Sequence, residues 1–505
     1  MYLKDILNGI KFKTDGDIGS LDIKSVRDDS RTVTKGDLFI AVKGYCINGY
    51  SFIDEAVRNG ARAILSEENF HSSPDVKKIL VDNTRLALPI IADNFYGHPS
   101  QKLKIAGVTG TNGKTTITYI IENILKSAGK ETGIIGTINY RMKAKDQPSK
   151  NTTPGPLKLQ SMLAEMVEFG INFAVMEVSS HALDQHRVDM VSFDVGIFTN
   201  ITHEHLDYHR TVKNYLIAKK RLFDRLKNDG VAILNNDDTR VAALKKSIRR
   251  KVLTYGIKKD ADVTAEDIVL SLDGSRFKVV TSSESFDVKA RLIGMYNVSN
   301  ILASVAACLA LGIKSEIIKN GIDSLISVPG RLEAVDVGQS FNVFVDYAHT
   351  EDALYNMLSL LRGVAKKRII TVFGCGGNRD KTKRPLMGNV ACKFSDYVIV
   401  TSDNPRFEEP HKIIEDIEKG IKGKFSNYDV MVDRRKAIEK ALALASIGDI
   451  VVIAGKGHEN YQMINDKIIP FDDRKVVMDI LRNRVRSESK RDNKDNAWET
   501  IIRRS

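Results

Sequence analysis

The stretch Gly107-Val-Thr-Gly-Thr-Asn-Gly-Lys-Thr-Thr116 holds the residue types that handle nucleotide phosphates. Its glycines let backbone N–H groups approach a phosphate closely. Lys114 adds a point charge at the outer phosphates, and the Thr115 hydroxyl can ligate Mg2+. Strict Walker spacing asks for glycine at position 108, where Val108 stands, so this is a P-loop variant. It implies ATP binding, with Gly107, Gly110, Thr111, Asn112, Gly113, Lys114, Thr115 and Thr116 as the expected contacts.

A second polar cluster follows. Glu177 closes the run Phe173-Ala-Val-Met-Glu177, where an acid can reach P-loop Mg2+. Ser179-Ser-His181 and Gln185-His-Arg187 come next, and Asn200 closes a further run before Thr202-His-Glu-His-Leu-Asp-Tyr-His209. The histidines invite a zinc reading. The spacing is not His-Glu-x-x-His and no cysteine is close, so Mg2+ with phosphate chemistry is preferred. Lys219, read alone, is a solvated helix lysine. A third group lies on three loops, Gly374 to Asp380, Ser402 to Arg406 and Gly455 to Glu459. Together their Arg379, Asp403, Arg406, Lys456, His458 and Glu459 suit a zwitterion.

These residues need elements to hold them. An apolar run, Leu103 to Val108, reads as the strand before the P-loop. After it, Ile117, Ile120, Ile121, Ile124 and Leu125 repeat on one helical face, with Gly129 as a stop. Further strands are expected at Leu38–Val42, Ala63–Leu65, Lys78–Val81, Phe173–Val178, Val195–Asn200 and Val231–Asn235. A second alternation of strands and helices starts after Pro329-Gly330-Arg331, with strands at Asn342–Asp346, Arg368–Phe373, Tyr397–Thr401 and Ile450–Ala454. Each of the last three runs into one of the polar loops, and ligands bind at the carboxyl ends of strands in open α/β sheets. Residues 252–293 read as a small β subregion, and Tyr96 to Ser100 as a domain boundary.

Composition bounds the remaining classes. The 505 residues allow about three domains, and 42% hydrophobic with 28% charged residues is ordinary for a globular enzyme. The net charge of +12 invites a nucleic-acid reading. That charge is spread along the chain and densest in the tail, with no aromatic-interleaved patch, so no nucleic-acid partner is expected. The N-terminal residues lack a signal-peptide core, and the longest apolar run, Ile301 to Ile313, is too short to span a bilayer. Cys46, Cys308, Cys375 and Cys392 form neither a disulfide framework nor a zinc spacing. The expectation is a cytoplasmic protein without membrane insertion, and a monomer.

The P-loop variant, Met176-Glu-Val-Ser-Ser-His181, His205-Leu-Asp-Tyr-His209, Gly294-Met-Tyr-Asn-Val-Ser-Asn300, Gly330-Arg-Leu-Glu333, Asp346-Tyr-Ala-His-Thr350 and Gly455-Lys-Gly-His-Glu459 together resemble the Mur ligases, and within them the MurE type. The likeness runs in order over roughly residues 20–480. It implies an α/β fold of three domains: 1–98 for a UDP-sugar substrate, 99–329 a central P-loop ATPase domain, and 330–486 a Rossmann-like domain for the incoming amino acid. Residues 487–505 would be a basic, disordered tail.

The resemblance also implies roles. Ser30 and the loop Tyr45-Cys-Ile47 would meet the nucleotide end of the UDP-substrate. Asn151, Thr152, Thr153, Ser179, Gln185 and Arg187 would meet its peptide end. Thr115, Glu177, His205 and a carbamylated Lys219 would hold Mg2+, and Asn297, Asn300, Arg331 and Asp346 would serve ATP. Lys114, Glu177, His205 and Lys219 would form the catalytic group. Arg379, Asp403, Asn404, Pro405, Arg406, Gly455 and Glu459 would bind the amino acid. The Asp403-Asn-Pro-Arg406 pattern points to meso-diaminopimelate, whose far carboxylate a guanidinium can grip with two bonds. The implied reaction is ATP-dependent addition of that residue to UDP-N-acetylmuramoyl-L-alanyl-D-glutamate through an acyl phosphate. Glu351 stands where the family has proline, which should perturb only a loop start. A lysine-adding ligase, a folylpolyglutamate synthetase, a P-loop nucleic-acid ATPase and a silent regulator are the alternatives.

Overall fold

The computed structural model describes residues 1–484 apart from Tyr45, Cys46, Ser72, Ala144 and His203. The expectations placed on the Tyr45–Cys46 loop and on the tail therefore lie outside the described residues. The chain falls into two compact units. The first comprises Met1–Ile268, Phe277–Lys289 and Tyr296–Ser324, and the second Val269–Arg276, Ala290–Met295 and Leu325 onward. The first two expected domains thus share one unit, and part of the strand-rich stretch groups with the second.

The first unit holds a five-stranded sheet near the N-terminus and most of an eleven-stranded sheet. In the large sheet the P-loop strand Lys104–Thr109 lies between Phe173–Glu177 and Phe193–Phe198, parallel to both. Leu226–Asn235 and Lys251–Tyr255 extend it in parallel on one side. Thr132–Ile135 extends it on the other, followed by the antiparallel pair Asn139–Met142 and Lys145–Pro148. The strands expected as a small β subregion are a continuation of this sheet. The helix Lys114–Ser127 buries Ile117, Ile120, Ile121, Ile124 and Leu125 completely. Each such side chain contributes about 1.5–3 kcal/mol, so this face fixes the helix against the sheet and aims its N-terminus.

The second unit is built on a six-stranded sheet in which Asn342–Asp346, Ile450–Ala454, Ile369–Phe373, Tyr397–Val400 and Tyr428–Val430 are adjacent and parallel. Glu333–Ala334 pairs antiparallel at the edge. The continuous apolar runs follow from burial of both faces. Ile369 and Phe373 join one core cluster while Ile370 and Val372 join another, and Val398, Val400 and Ile399 divide the same way. All three polar loops therefore leave the sheet at one end. The hairpin Tyr461–Ile464 with Lys467–Pro470 is an addition that periodicity did not reveal. Glu351 takes the first position of the helix Glu351–Val364, capped by the Thr350 hydroxyl, so its difference from proline is absorbed there.

Candidate active site

The P-loop turn is shaped by its glycines and held by a neighbouring strand end. Gly110 and Gly113 have φ of +143° and +92°, where L side chains are strained, and a Cβ on Gly113 would lie 2.4 Å from the Asn300 Oδ1. Gly107 is different. It sits inside the strand against the Phe193 ring, so its role is packing rather than the expected phosphate contact. Asn112 N–H donates to Asn200 Oδ1 at 2.9 Å, Thr111 N–H to the Asn200 carbonyl at 2.9 Å, and the Thr199 hydroxyl to the Asn112 carbonyl at 2.6 Å. Thr115 and Thr116 are buried in the first turn of the helix. Asn300 donates to Asn297 Oδ1 at 3.2 Å, so both expected ATP residues of this unit stand together at the loop.

Two lysines converge on one carbonyl. Lys114 Nζ donates to the Gly110 carbonyl at 2.9 Å and to the Thr111 carbonyl at 2.7 Å. Lys219 Nζ donates to the same Gly110 carbonyl at 2.7 Å. Lys219 is 1% exposed, which overturns its reading as a solvated helix lysine. The helix Val212–Lys220 buries Tyr215, Ala218 and Lys219, an i, i+3, i+4 stripe that turns the lysine inward. That stripe was the overlooked signal. Burial, and then the charge of Lys114, hold the Lys219 amine well below its ordinary pKa, a shift toward the neutral, nucleophilic form.

Beside this loop runs a continuous polar network. Glu177 is buried, and its carboxylate accepts from the Thr137 N–H at 2.8 Å and hydroxyl at 2.9 Å. Thr137 and Thr152 hydroxyls lie 3.1 Å apart, and the Thr153 hydroxyl donates to the Glu177 carbonyl at 2.8 Å. Ser179 N–H donates to the Thr153 hydroxyl, and Arg187 donates to the Thr153 carbonyl at 2.9 Å and to Gln185 Oε1 at 2.6 Å. The Asn151 carbonyl accepts from the Tyr140 hydroxyl. The six expected peptide-end residues are thus brought together, and Thr137, absent from the sequence expectation, links them to Glu177.

The histidines gather nearby. The His205 ring lies 4.8 Å from His181 and 6.2 Å from Tyr215, and its backbone takes the left-handed conformation at φ +55°. His181 falls to about 4 through burial and the neighbouring His205 and His209. The His205 side chain is 44% exposed, yet crowding around the ring still lowers its pKa. Among the described residues no group of three or more His, Cys, Asp or Glu side chains is arranged to hold a metal ion. Mg2+ would draw on a mixed set. Glu177 is a buried carboxylate that accepts from the Thr137 N–H and hydroxyl. A carboxylate held by these two neutral donors suits a hard cation.

In the second unit the amino-acid residues interlock. Asn404 Nδ2 donates to Glu459 Oε2 at 2.7 Å. Arg406, at φ +52°, donates to the Gly377 carbonyl at 2.8 Å. Gly455 has φ +113°, and a Cβ there would lie 2.8 Å from Asp403 Oδ2. Arg379 is exposed and Pro405 buried on the same loops. Lys456 departs from the expected ligand-facing role. It is fully buried and donates to the Tyr461 carbonyl at 2.5 Å and to Glu459 at 3.1 Å, so it anchors the hairpin. Burial raises the Glu459 carboxyl against the pull of Lys456. The expected ATP residues also meet here. Asp346 accepts from Leu332 N–H at 2.6 Å and Ala348 N–H at 2.8 Å, and Arg331 lies over the Tyr347 ring at 5.0 Å. The His458 ring packs against Tyr347 at 4.8 Å, tilted by 43°, and burial with Arg331 close by lowers it to about 3. In the N-terminal sheet region Ser30 is buried and its hydroxyl donates to Glu55.

No helix among the described residues is long and apolar enough to cross a membrane. Comparison with known proteins matches residues 22–96 to the Mur ligase family catalytic domain, 108–308 to the Mur ligase middle domain and 330–457 to the Mur ligase glutamate ligase domain. The UDP-N-acetylmuramoyl-L-alanyl-D-glutamate--2,6-diaminopimelate ligase of Geobacillus kaustophilus is 45% identical over 472 residues, 92% of this chain and 96% of that protein. A solved structure of a ligase of the same name is similar with TM-score 0.70 and 34% identity, covering 96% of this chain and 99% of the other. The MurF ligase of Thermotoga maritima, solved with ADP, shares the fold at TM-score 0.63 and 22% identity, covering 93% and 99%.

Proposed function

Because the chain belongs to the Mur ligase family, we propose that it joins 2,6-diaminopimelate, as the meso isomer, to UDP-N-acetylmuramoyl-L-alanyl-D-glutamate at the cost of ATP. It is an ATP-dependent amide-bond-forming ligase. One observation carries the substrate reading: the network from Glu177 through Thr137, Thr152, Thr153, Ser179 and Arg187 adjoins the P-loop strand. A peptide carboxylate bound there would face the phosphoryl donor.

The chemistry follows from what an amide needs. A substrate carboxylate oxygen attacks the γ-phosphorus, ADP leaves, and an acyl phosphate forms. The amine nitrogen of the incoming residue then attacks the carbonyl carbon. The tetrahedral oxyanion collapses with cleavage of the C–O bond, releasing phosphate and the amine proton. Lys114 and the P-loop N–H groups meet charge as it develops on the transferring group. Thr115, Glu177 and His205 would hold Mg2+, which supplies charge neutralisation at the phosphates. We infer that Lys219 reacts as its neutral amine with CO2, losing a proton to become a carbamate anion that completes this set. Its buried position beside Lys114 supports that reading. Arg406 would take the far carboxylate of diaminopimelate and Glu459 the distal ammonium. We infer a cytoplasmic location, because ATP and a UDP-sugar are cytoplasmic metabolites.

Phosphate release should require ATP, the UDP-dipeptide and diaminopimelate together. Release with lysine instead would favour the lysine-adding reading, and release with a folate and glutamate the folylpolyglutamate one. Release that needs only nucleic acid would overturn both the substrate and the reaction.

A further inference from the structure

The core of the second unit contains an ion pair that the chemistry above does not use. Arg434 opens the helix Arg434–Leu444, and its guanidinium and the Asp473 carboxylate are both 0% exposed. The pair is bidentate, Nε to Oδ1 at 2.8 Å and Nη2 to Oδ2 at 2.7 Å. The guanidinium also donates to the Ala454 carbonyl at 3.0 Å and the Ser402 carbonyl at 3.5 Å. Ala454 immediately precedes the polar loop that starts at Gly455, and Ser402 opens the one that runs to Arg406. Their strands are not neighbours, because Ile369–Phe373 lies between them in the sheet. Arg434 therefore bridges two strand ends across a third.

Stability alone does not call for this arrangement. A buried ion pair seldom stabilises more than a well-packed apolar pair of similar volume, and its best-attested use is to set register. Here the register is that of two loops already in contact, through Asn404 on Glu459 and Gly455 against Asp403. The Arg434 charge is also felt by Asp403 and Glu459. We propose that Arg434, held by Asp473, is a positioning residue for the incoming amino acid, fixing the loops 403–406 and 455–459 at the separation its charged groups require. This rests on the reading of those loops as the amino-acid pocket.

The double variant Arg434→Met/Asp473→Leu removes both charges without stranding either. It should fold with a cooperative melt near that of the wild type. KM for diaminopimelate should rise tenfold or more, while KM for ATP and the UDP-dipeptide and kcat stay within about threefold. Arg434→Lys keeps the charge and one bond but cannot span both carbonyls, so it should raise KM for diaminopimelate by an intermediate amount. Amide exchange at 403–406 and 455–459, measured without substrate, should quicken in both variants. Unchanged KM for diaminopimelate in a folded double variant, or equal shifts for all three substrates, overturns the proposal. Should the double variant not fold, Arg434→Lys is judged by the same criteria. A wild type lacking diaminopimelate-dependent phosphate release overturns the pocket reading instead, and the exchange rates then decide the positioning role independently.

Discussion

Replacing Lys219 by arginine tests the central chemistry most severely. The bonds of Lys114 and Lys219 to the Gly110 carbonyl, 2.9 and 2.7 Å, limit the two nitrogens to a separation of 5.6 Å when added end to end. At an effective dielectric constant of about 20, two unit charges at that distance repel by about 3 kcal/mol. Burial and the Lys114 charge both push the lysine's pKa down, and a lysine can relieve this repulsion by releasing a proton. Arginine cannot, because its guanidinium stays charged. Lys219→Arg therefore keeps a permanent second cation at the P-loop and cannot form a carbamate. We expect turnover to fall at least a hundred- to thousandfold, the scale of losing one preorganised charge-stabilising group. Lys219→Ala should be comparably inactive, and a small carboxylate should partly restore it. The assay is phosphate release with saturating ATP, UDP-dipeptide and diaminopimelate. Carbon-13 NMR of wild type in labelled bicarbonate should show a carbamate carbon that both variants lack. Lys219→Arg turnover within about threefold of wild type, or no carbamate signal in an active enzyme, would refute the reasoning.

Three further outcomes are expected. Lys114→Ala should lose about 3–4 kcal/mol of transition-state stabilisation, a hundred- to thousandfold in rate, with an unaltered circular dichroism spectrum; near-normal turnover would remove ATP chemistry from this loop. Arg406→Ala should lose diaminopimelate far more than lysine, because about 3 kcal/mol of one charge pair suffices for a hundredfold preference; equal weakening in KM measurements counts against the assignment. Glu408 is held at about 2, below its ordinary 4.5, chiefly by the Arg384 guanidinium. A carboxylate lowered on folding adds stability above its unfolded value and loses it as pH falls through the folded one. Glu408→Gln should therefore lower Tm at pH 7, with the gap closing between pH 4.5 and about 2, whereas a pH-independent gap in thermal melts would contradict it.

Spacing along the chain was enough to locate the P-loop, its helix, the strands around it and the three loops leaving the second sheet. Those features depend on backbone geometry and on apolar repeats within ten or so residues, so a linear reading captures them. The strands Asn342–Asp346 and Ile450–Ala454 come out with the expected bounds because their apolar runs are continuous. Partnership is a different quantity. Nothing near Lys219 announces Gly110, more than a hundred positions earlier, and Glu177 acquires Thr137 only when the strand Thr132–Ile135, which leads into Thr137, pairs with Phe173–Glu177. From the sequence Lys456 is expected to face a ligand and Arg434 carries no expectation, yet both are buried. A buried charge is tolerated only where folding supplies its partners, and those partners come from distant segments. The kind of chemistry was thus legible in local residue types, while the charge each lysine carries and what each anion faces were decided by tertiary packing.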